Sequence, residues 1–219
     1  MEQYRNVFQK MMIAKQKKTK EKANKPYKIT LPHGDSWVMV FPVIPKEIQM
    51  DENLFEDIWN LHPKEKGKGI IMGKEIEFPR WQESYGQAYS FTGMTHKAHK
   101  IKHTFMKSIL EWVCNDSQKK YKQILVNWYE NGNHYIGPHS DDEKQLVKKS
   151  AIYSFSFGQE RDFVIKSKDK TYRKVVKMPH NSLLVMCGEM QKYYKHSVPK
   201  RALSKCPKKR INITMRLFE

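Results

Sequence analysis

Near its C-terminus the sequence runs Arg210-Ile-Asn-Ile-Thr-Met-Arg216, four polar residues alternating with three apolar ones. In an extended strand side chains two apart point the same way, so the four polar groups share one face and the apolar three the other. A half-buried strand turns its apolar face to the core. Two arginines and an asparagine on the remaining face then point to an anionic ligand, and arginine's planar fork suits a carboxylate. Six residues of strand span roughly 20 Å, more than a small dicarboxylate, so the two arginines must lean together or the strand must curve.

This strand closes a series of short ones. From Lys122 onward the chain reads as strands over about 123–129, 151–157, 161–166, 172–178, 182–187 and 211–218, with Glu130-Asn-Gly-Asn133 and Gly158-Gln-Glu160 as hairpin turns. In Ala151-Ile-Tyr-Ser-Phe-Ser-Phe157, Ala151, Tyr153, Phe155 and Phe157 share a face. Many short antiparallel strands predict a double-stranded β-helix, or jelly roll, in an α+β chain that is mostly β. Earlier, Trp37–Phe41 reads as a strand. Helices are expected over 53–60, with Leu54, Phe55, Ile58 and Trp59 as its apolar stripe, and over 102–115, with Phe105, Ile109, Trp112 and Val113. Residues 192–210 read as a basic loop.

Within this frame, Asn127-Trp-Tyr-Glu-Asn-Gly-Asn-His-Tyr-Ile-Gly-Pro-His-Ser-Asp-Asp-Glu143 holds a metal-binding pattern. His139 and Asp141 present an imidazole and a carboxylate in one direction if the segment is extended. One more ligand would complete a site, and His196, from the basic loop, can supply it, giving a two-histidine, one-carboxylate facial triad that binds iron(II) and leaves the other coordination positions open.

Asn127-x-Tyr129, His139-x-Asp141, His196 and Arg210-x-Asn-x-Thr-x-Arg216 together resemble the signature set of the AlkB-family dioxygenases, iron(II) and 2-oxoglutarate enzymes that act on alkylated nucleic acid bases. The resemblance runs in order from about Lys68 to Phe218, and the blocks at 139–143 and 210–216 are similar to those of the eukaryotic DNA-repair branch. It implies Fe(II) on His139, Asp141 and His196, with 2-oxoglutarate and molecular oxygen as co-reactants. Arg210 and Tyr129 would hold the distal carboxylate of 2-oxoglutarate, Arg216 and Asn127 would lie near its metal-proximal end, and Asn212 and Thr214 would complete the face.

The same resemblance makes residues of about 66–95 an N-terminal nucleotide-recognition lid over a jelly-roll core of about 122–219. Tyr89 and Phe91 would stack on an extruded base, although two aromatics in a strand also suit a core. Asp142 would face the exocyclic amine or cationic ring of the base, or else be a surface acid or a partner for an arginine. The glycine-flanked tip Met72-Gly73-Lys74 would wedge between bases with lysines on phosphate, or form an ordinary buried hairpin. Met72 stands where repair relatives carry an aromatic finger, which puts duplex invasion in doubt. Pro138 before the metal histidine is a second departure, and it stiffens the loop.

Composition bears on the partner. In 219 residues, 41 basic side chains stand against 23 acidic ones, a formal charge of +18. Such a surplus fits a polyanionic partner, DNA first and RNA second, and also fits a chain that is basic for solubility alone. Residues 1–28 carry nine basic and two acidic residues and read as a solvated, mobile arm: a nucleic-acid arm, an import signal or a plain tail. Residues 29–219 form one domain. Three cysteines without a CxxC spacing argue against a disulfide scaffold, and no apolar run is long enough to span a membrane. The expectation is a monomeric intracellular protein, in the nucleus or wherever its nucleic acid resides, that removes alkyl groups oxidatively from 1-methyladenine- and 3-methylcytosine-type bases. Two alternatives stand: a 2-oxoglutarate hydroxylase of protein or small-molecule substrates on the same jelly roll, and a catalytically silent nucleic-acid-binding protein, against which the intact ligand set argues.

Overall fold

The computed structural model describes residues 24–71, 73–91 and 94–219, with backbone alone at 71, 89–91 and 94–96. In chain order the elements are β1 (Tyr27–Leu31), β2 (Ser36–Phe41), α1 (Glu52–Trp59), β3 (Lys68–Ile71), β4 (Lys74–Glu77), β5 (Trp81–Tyr85), β6 (Tyr89–Phe91), β7 (Met94–His96), β8 (Ala98–His99), α2 (Thr104–Ser117), β9 (Ile124–Tyr129), β10 (Ile136–His139), β11 (Ile152–Gly158), β12 (Arg161–Ser167), β13 (Arg173–Met178), β14 (Ser182–Gly188), α3 (Met190–Tyr193), β15 (Tyr194–Val198) and β16 (Arg210–Met215). Both long helices start on a side-chain cap: Asp51 accepts from the Leu54 amide at 2.8 Å, and His103 Nδ1 from the Phe105 amide at 3.2 Å.

Eight strands form one sheet in the order β1-β2-β14-β11-β16-β9-β5-β8, and four form a second, β10-β15-β12-β13. From β9 onward the chain alternates between the two sheets at each connection except the β12–β13 hairpin, the arrangement of a jelly roll. The predicted hairpin turns at 130–133 and 158–160 are therefore corners that carry the chain from one sheet to the other. Gly158 makes the second corner: its φ is +83°, and a Cβ there would meet the Lys209 carbonyl oxygen at 2.5 Å.

Two apolar layers follow from strand periodicity. One packs the outer face of the large sheet, with Tyr153, Phe155, Phe157, Ile211, Ile213 and Met215, against Phe55, Ile58 and Trp59 of α1 and Phe105, Met106, Ile109 and Val113 of α2. The other lies between the sheets, with Val38, Val40, Phe163, Ile165, Leu184 and Met186. Every residue of β16 is buried: its apolar face lies under the helices, and its polar face looks into the space between the sheets. Polar groups on a face turned away from water need partners inside the protein.

The structure moves several predicted boundaries. Tyr27 and Lys28, assigned to the arm, belong to β1, and β1 and β2 extend the large sheet beyond β14. Trp81–Tyr85, assigned to the lid, pairs antiparallel with β9, so that part of the lid is a strand of the main sheet. The sheet thus recruits residues well before 122, and β5 takes up the backbone edge of β9 that β16 leaves unpaired. His196 sits on β15 rather than in a loop. β3 and β4 do pair as a hairpin, with Gly73 at φ +74° in the turn, but β4 is exposed along its length, so this is not the ordinary buried hairpin. Met72 lies outside the described residues. Among the described residues, no helix is long and apolar enough to cross a membrane.

Candidate metal centre and cosubstrate pocket

β10 and β15 pair antiparallel, and their register sets His139 opposite His196. Directly opposed residues hold their Cβ atoms about 5 Å apart, and here the imidazole centroids are 4.3 Å apart. β10 ends at His139, so Asp141 is not on a strand as expected; the chain turns after Pro138-His139 and brings the carboxylate back inward. His139 Nε2 lies 3.8 Å from Asp141 Oδ1, and His196 Nε2 lies 3.7 Å from Asp141 Oδ2. One ligand atom from each of the three residues falls within 4.8 Å of the others.

The chemistry of this set fits a divalent metal. His139 Nδ1 is 2.9 Å from the Gly137 carbonyl oxygen, which can only accept; the proton is therefore on Nδ1, and Nε2 offers its lone pair. Burial pulls the His196 imidazole down to about 3, with His139 adding to the effect, so His196 is neutral at physiological pH. Burial likewise lowers His139. Burial alone would raise the Asp141 carboxyl, but Arg216 outweighs it and the carboxyl is held well below the usual carboxylate range. With both imidazoles neutral, Arg216, whose Nη2 donates to Asp141 Oδ1 at 2.8 Å, supplies the fixed positive charge. Asp141 Oδ2 is buried with no hydrogen-bond partner among the described residues, an acceptor suited to a cation.

The triad opens into a cavity of about 660 Å³ between the sheets, lined also by Asn127, Tyr129, Asp142, Arg210, Asn212, Thr214 and Arg216. Arg210, at the start of β16, and Arg216, just past its end, do not converge. Arg216 is drawn to Asp141 at the metal end, while Arg210 donates to Ser156 Oγ at 2.9 Å and lies 4.9 Å over the Tyr129 ring. Asn212 is committed within the sheet: its amide donates to Ser154 Oγ at 2.9 Å and to the Phe155 carbonyl at 2.7 Å, and its oxygen accepts from Thr214 at 3.1 Å.

Among the expected substrate residues, Asp142 stands at this cavity, exposed, with Lys168 Nζ 3.5 Å away. Gly73 and Lys74 do not line the cavity; from their hairpin, Ile76 does. Lys68, one of the lysines flanking the tip, is 2.8 Å from Glu75. The backbones of Tyr89 and Phe91 form β6 of a two-stranded hairpin, and their side chains lie outside the described residues.

Four residues of the site escaped the sequence reading. Arg80 Nε donates to Asn127 Oδ1 at 2.7 Å and its Nη2 to Gln82 Oε1 at 2.8 Å, and both residues line the cavity. Ser154 lines it from β11, and Ser156, two residues on, accepts from Arg210. The signal was partial: Arg80, Gln82 and Ser84 lie two apart as the polar residues of β16 do, but the charged Glu83 among Trp81 and Tyr85 breaks the polar-apolar alternation.

Arg161 braces the site from behind. It is 2% exposed and donates to the carbonyls of Asn131, His134 and Pro199 at 3.1, 2.9 and 2.8 Å, with its guanidinium 5.8 Å from the Tyr129 ring. It ties the loop before β10 to the loop after β15. Arg161→Met is expected to lower stability by about 2 kcal/mol, since hydrogen bonds from a charged donor contribute roughly 1.5–3 kcal/mol each and loop carbonyls regain part of this from water. Thermal unfolding measures it, and an unchanged midpoint would remove the brace from this account.

The family model described as the 2OG-Fe(II) oxygenase superfamily matches residues 75–216. The chain is 30% identical over 204 residues to the alpha-ketoglutarate-dependent dioxygenase alkB homolog 3 of Homo sapiens, covering 87% of this chain and 69% of that protein. The chain belongs to the AlkB family of 2OG-Fe(II) oxygenases. It is also 35% identical over 157 residues to DNA oxidative demethylase ALKBH2 of Mus musculus, covering 67% of this chain and 64% of that protein, so the match spans somewhat less than two thirds of that relative's length. The solved structure of OsALKBH1 aligns with a TM-score of 0.59 at 15% identity, over 85% of this chain and 99% of that one, a likeness of fold. Membership of the AlkB family implies Fe(II), 2-oxoglutarate and oxygen, and the donor set of His139, Asp141 and His196 fits the metal on the chemistry given above.

Proposed function

We propose that this protein removes alkyl groups oxidatively from N-alkylated nucleic acid bases, of the 1-methyladenine and 3-methylcytosine type, in DNA before RNA. The observation that carries the reading is one cavity holding the metal-binding triad, the buried Arg210 beyond it and the exposed acid Asp142 at its edge, 3.5 Å from Lys168 Nζ. The relatives named DNA oxidative demethylase and the formal charge of +18 favour a nucleic acid over a protein or small-molecule substrate.

Iron(II) with 2-oxoglutarate and oxygen supplies the oxidation: the cosubstrate loses carbon dioxide to become succinate, and the methyl carbon is hydroxylated and lost as formaldehyde. His139, Asp141 and His196 would hold the metal, and Arg210 with Tyr129 would hold the distal carboxylate. Asn127, fixed by Arg80, would lie at the proximal end. Asp142 would face the positive charge of the alkylated base, and a carboxylate there discriminates against unmodified, neutral bases. With methionine rather than an aromatic ring at position 72, a single strand is the preferred substrate.

Incubation of methylated oligonucleotides with Fe(II), 2-oxoglutarate and ascorbate should release formaldehyde and restore the unmodified base, read by mass spectrometry, and faster on single strands than on duplexes. Succinate formed without demethylation of any oligonucleotide in the panel would instead favour a hydroxylase of another substrate.

A further inference from the structure

The pairing of β10 with β15 ends at His139 and His196, yet the next ligand, Asp141, lies beyond the end of β10. Backbone groups of a segment leaving a sheet need other partners. Here the Asp141 amide finds one on the short helix α3, while the Ser140 side chain ties the segment to the first residue of β15. Ser140 Oγ donates to the Tyr194 carbonyl at 2.8 Å, and the Asp141 amide donates to Gln191 Oε1 at 3.0 Å. The other end of the Gln191 amide is anchored too, with Nε2 3.4 Å from Met186 Sδ on β14, and its main-chain carbonyl accepts from Lys168 Nζ at 3.1 Å. Gln191 therefore spans from the large sheet to the amide of the metal carboxylate.

We propose that Gln191 is the positioning residue for the metal ligand Asp141: its side-chain oxygen substitutes for the missing strand partner and sets where the carboxylate points. The inference rests on the reading of His139, Asp141 and His196 as a metal site. Arg216 fixes one carboxylate oxygen from the side-chain end, and Gln191 fixes the main chain behind it, so the remaining oxygen is held toward the imidazoles by two independent contacts. Residues outside the ligand set that orient ligands typically affect metal affinity by about 10–100-fold.

The test is Co(II) binding to the full chain, followed by titration and by its visible absorption, with no turnover involved. Gln191→Met removes the acceptor while filling similar volume; Gln191→Glu keeps an oxygen at the same reach. Weakening by about tenfold or more in Gln191→Met with an altered Co(II) spectrum, and affinity near wild type in Gln191→Glu, is the expected result. Wild-type protein that binds no better than His139→Ala would overturn the metal site and the inference with it. If wild type binds and Gln191→Met matches it in affinity and spectrum, the metal site stands and the role of Gln191 falls. Equal weakening in both Gln191 variants also overturns it, because the accepting oxygen would then not be what matters.

Discussion

Asp141→Ala is expected to abolish metal binding and succinate formation together, and to lower the stability of the metal-free protein by about 3–5 kcal/mol, the usual result of removing one partner of a buried ion pair. Asp141 and Arg216 are each 4% exposed and share a hydrogen bond of 2.8 Å. The substitution takes away the carboxylate to which a guanidinium inside the fold is bonded. For a chain of this size that corresponds to a fall in melting temperature on the order of 10 °C. His139→Ala should abolish metal binding equally, yet lower the melting temperature far less, because a partly buried neutral ring is removed and no charge loses its partner. The two effects of Asp141 separate in the double variant Asp141→Ala with Arg216→Met, which should regain much of the lost stability and none of the metal affinity. Calorimetric unfolding alongside Mn(II) titration decides it: if Asp141→Ala melts with His139→Ala, the ion pair is not a structural element of the apoprotein.

The contrast between these residues also shows what a sequence can carry. Arg210-x-Asn-x-Thr-x-Arg216 was legible because period-two alternation reports a shared face, and because charged groups on that face of a closing strand call for a ligand. His139 and Asp141 were legible for a similar local reason, although the carboxylate reaches the site through a turn after the strand and not by simple alternation. The pairing of His139 with His196 depended on a register between segments 57 residues apart, which no local pattern encodes. His196 itself looked like a loop residue since lysines surround it, but the burial of β15 alternates only at Lys195. Gln191 gave no signal at all, being a polar residue in a four-residue helix whose function comes from a contact 50 positions away. The glycine-containing segments at 130–133 and 158–160 were correctly read as turns and wrongly as hairpins: turn chemistry fixes that the chain reverses, not which sheet it enters next. β1 was lost for a compositional reason, since Lys28 continues the charge of the residues before it, while only Leu31 of that edge strand is fully buried.

Arg210→Met should weaken 2-oxoglutarate binding by about 100-fold or more while leaving Mn(II) affinity unchanged and the apoprotein as stable as wild type, or more so. Arg210 is 1% exposed, and burial pulls its guanidinium down to about 10 despite the opposing effect of Tyr129. One hydrogen bond, to Ser156, and the ring of Tyr129 are its partners on one side. Its Nε and Nη1 have no hydrogen-bond partner among the described residues. A buried cation so weakly compensated destabilises the empty protein, and its replacement by an apolar side chain of similar length is commonly neutral or stabilising. Arg161, 5.8 Å from the same ring, adds a second positive charge to this end of the cavity. A carboxylate arriving there would gain two charge-assisted hydrogen bonds of roughly 1.5–3 kcal/mol each, which is the source of the expected loss. The measurement is isothermal titration of 2-oxoglutarate into the Mn(II)-loaded protein without oxygen, paired with thermal unfolding of the metal-free variants. Arg210→Lys should fall between the two, since an ammonium restores the charge without the fork. A variant that loses stability along with cosubstrate affinity would identify Arg210 as a structural residue of the sheet, and the anion site would then have to be sought elsewhere in the cavity.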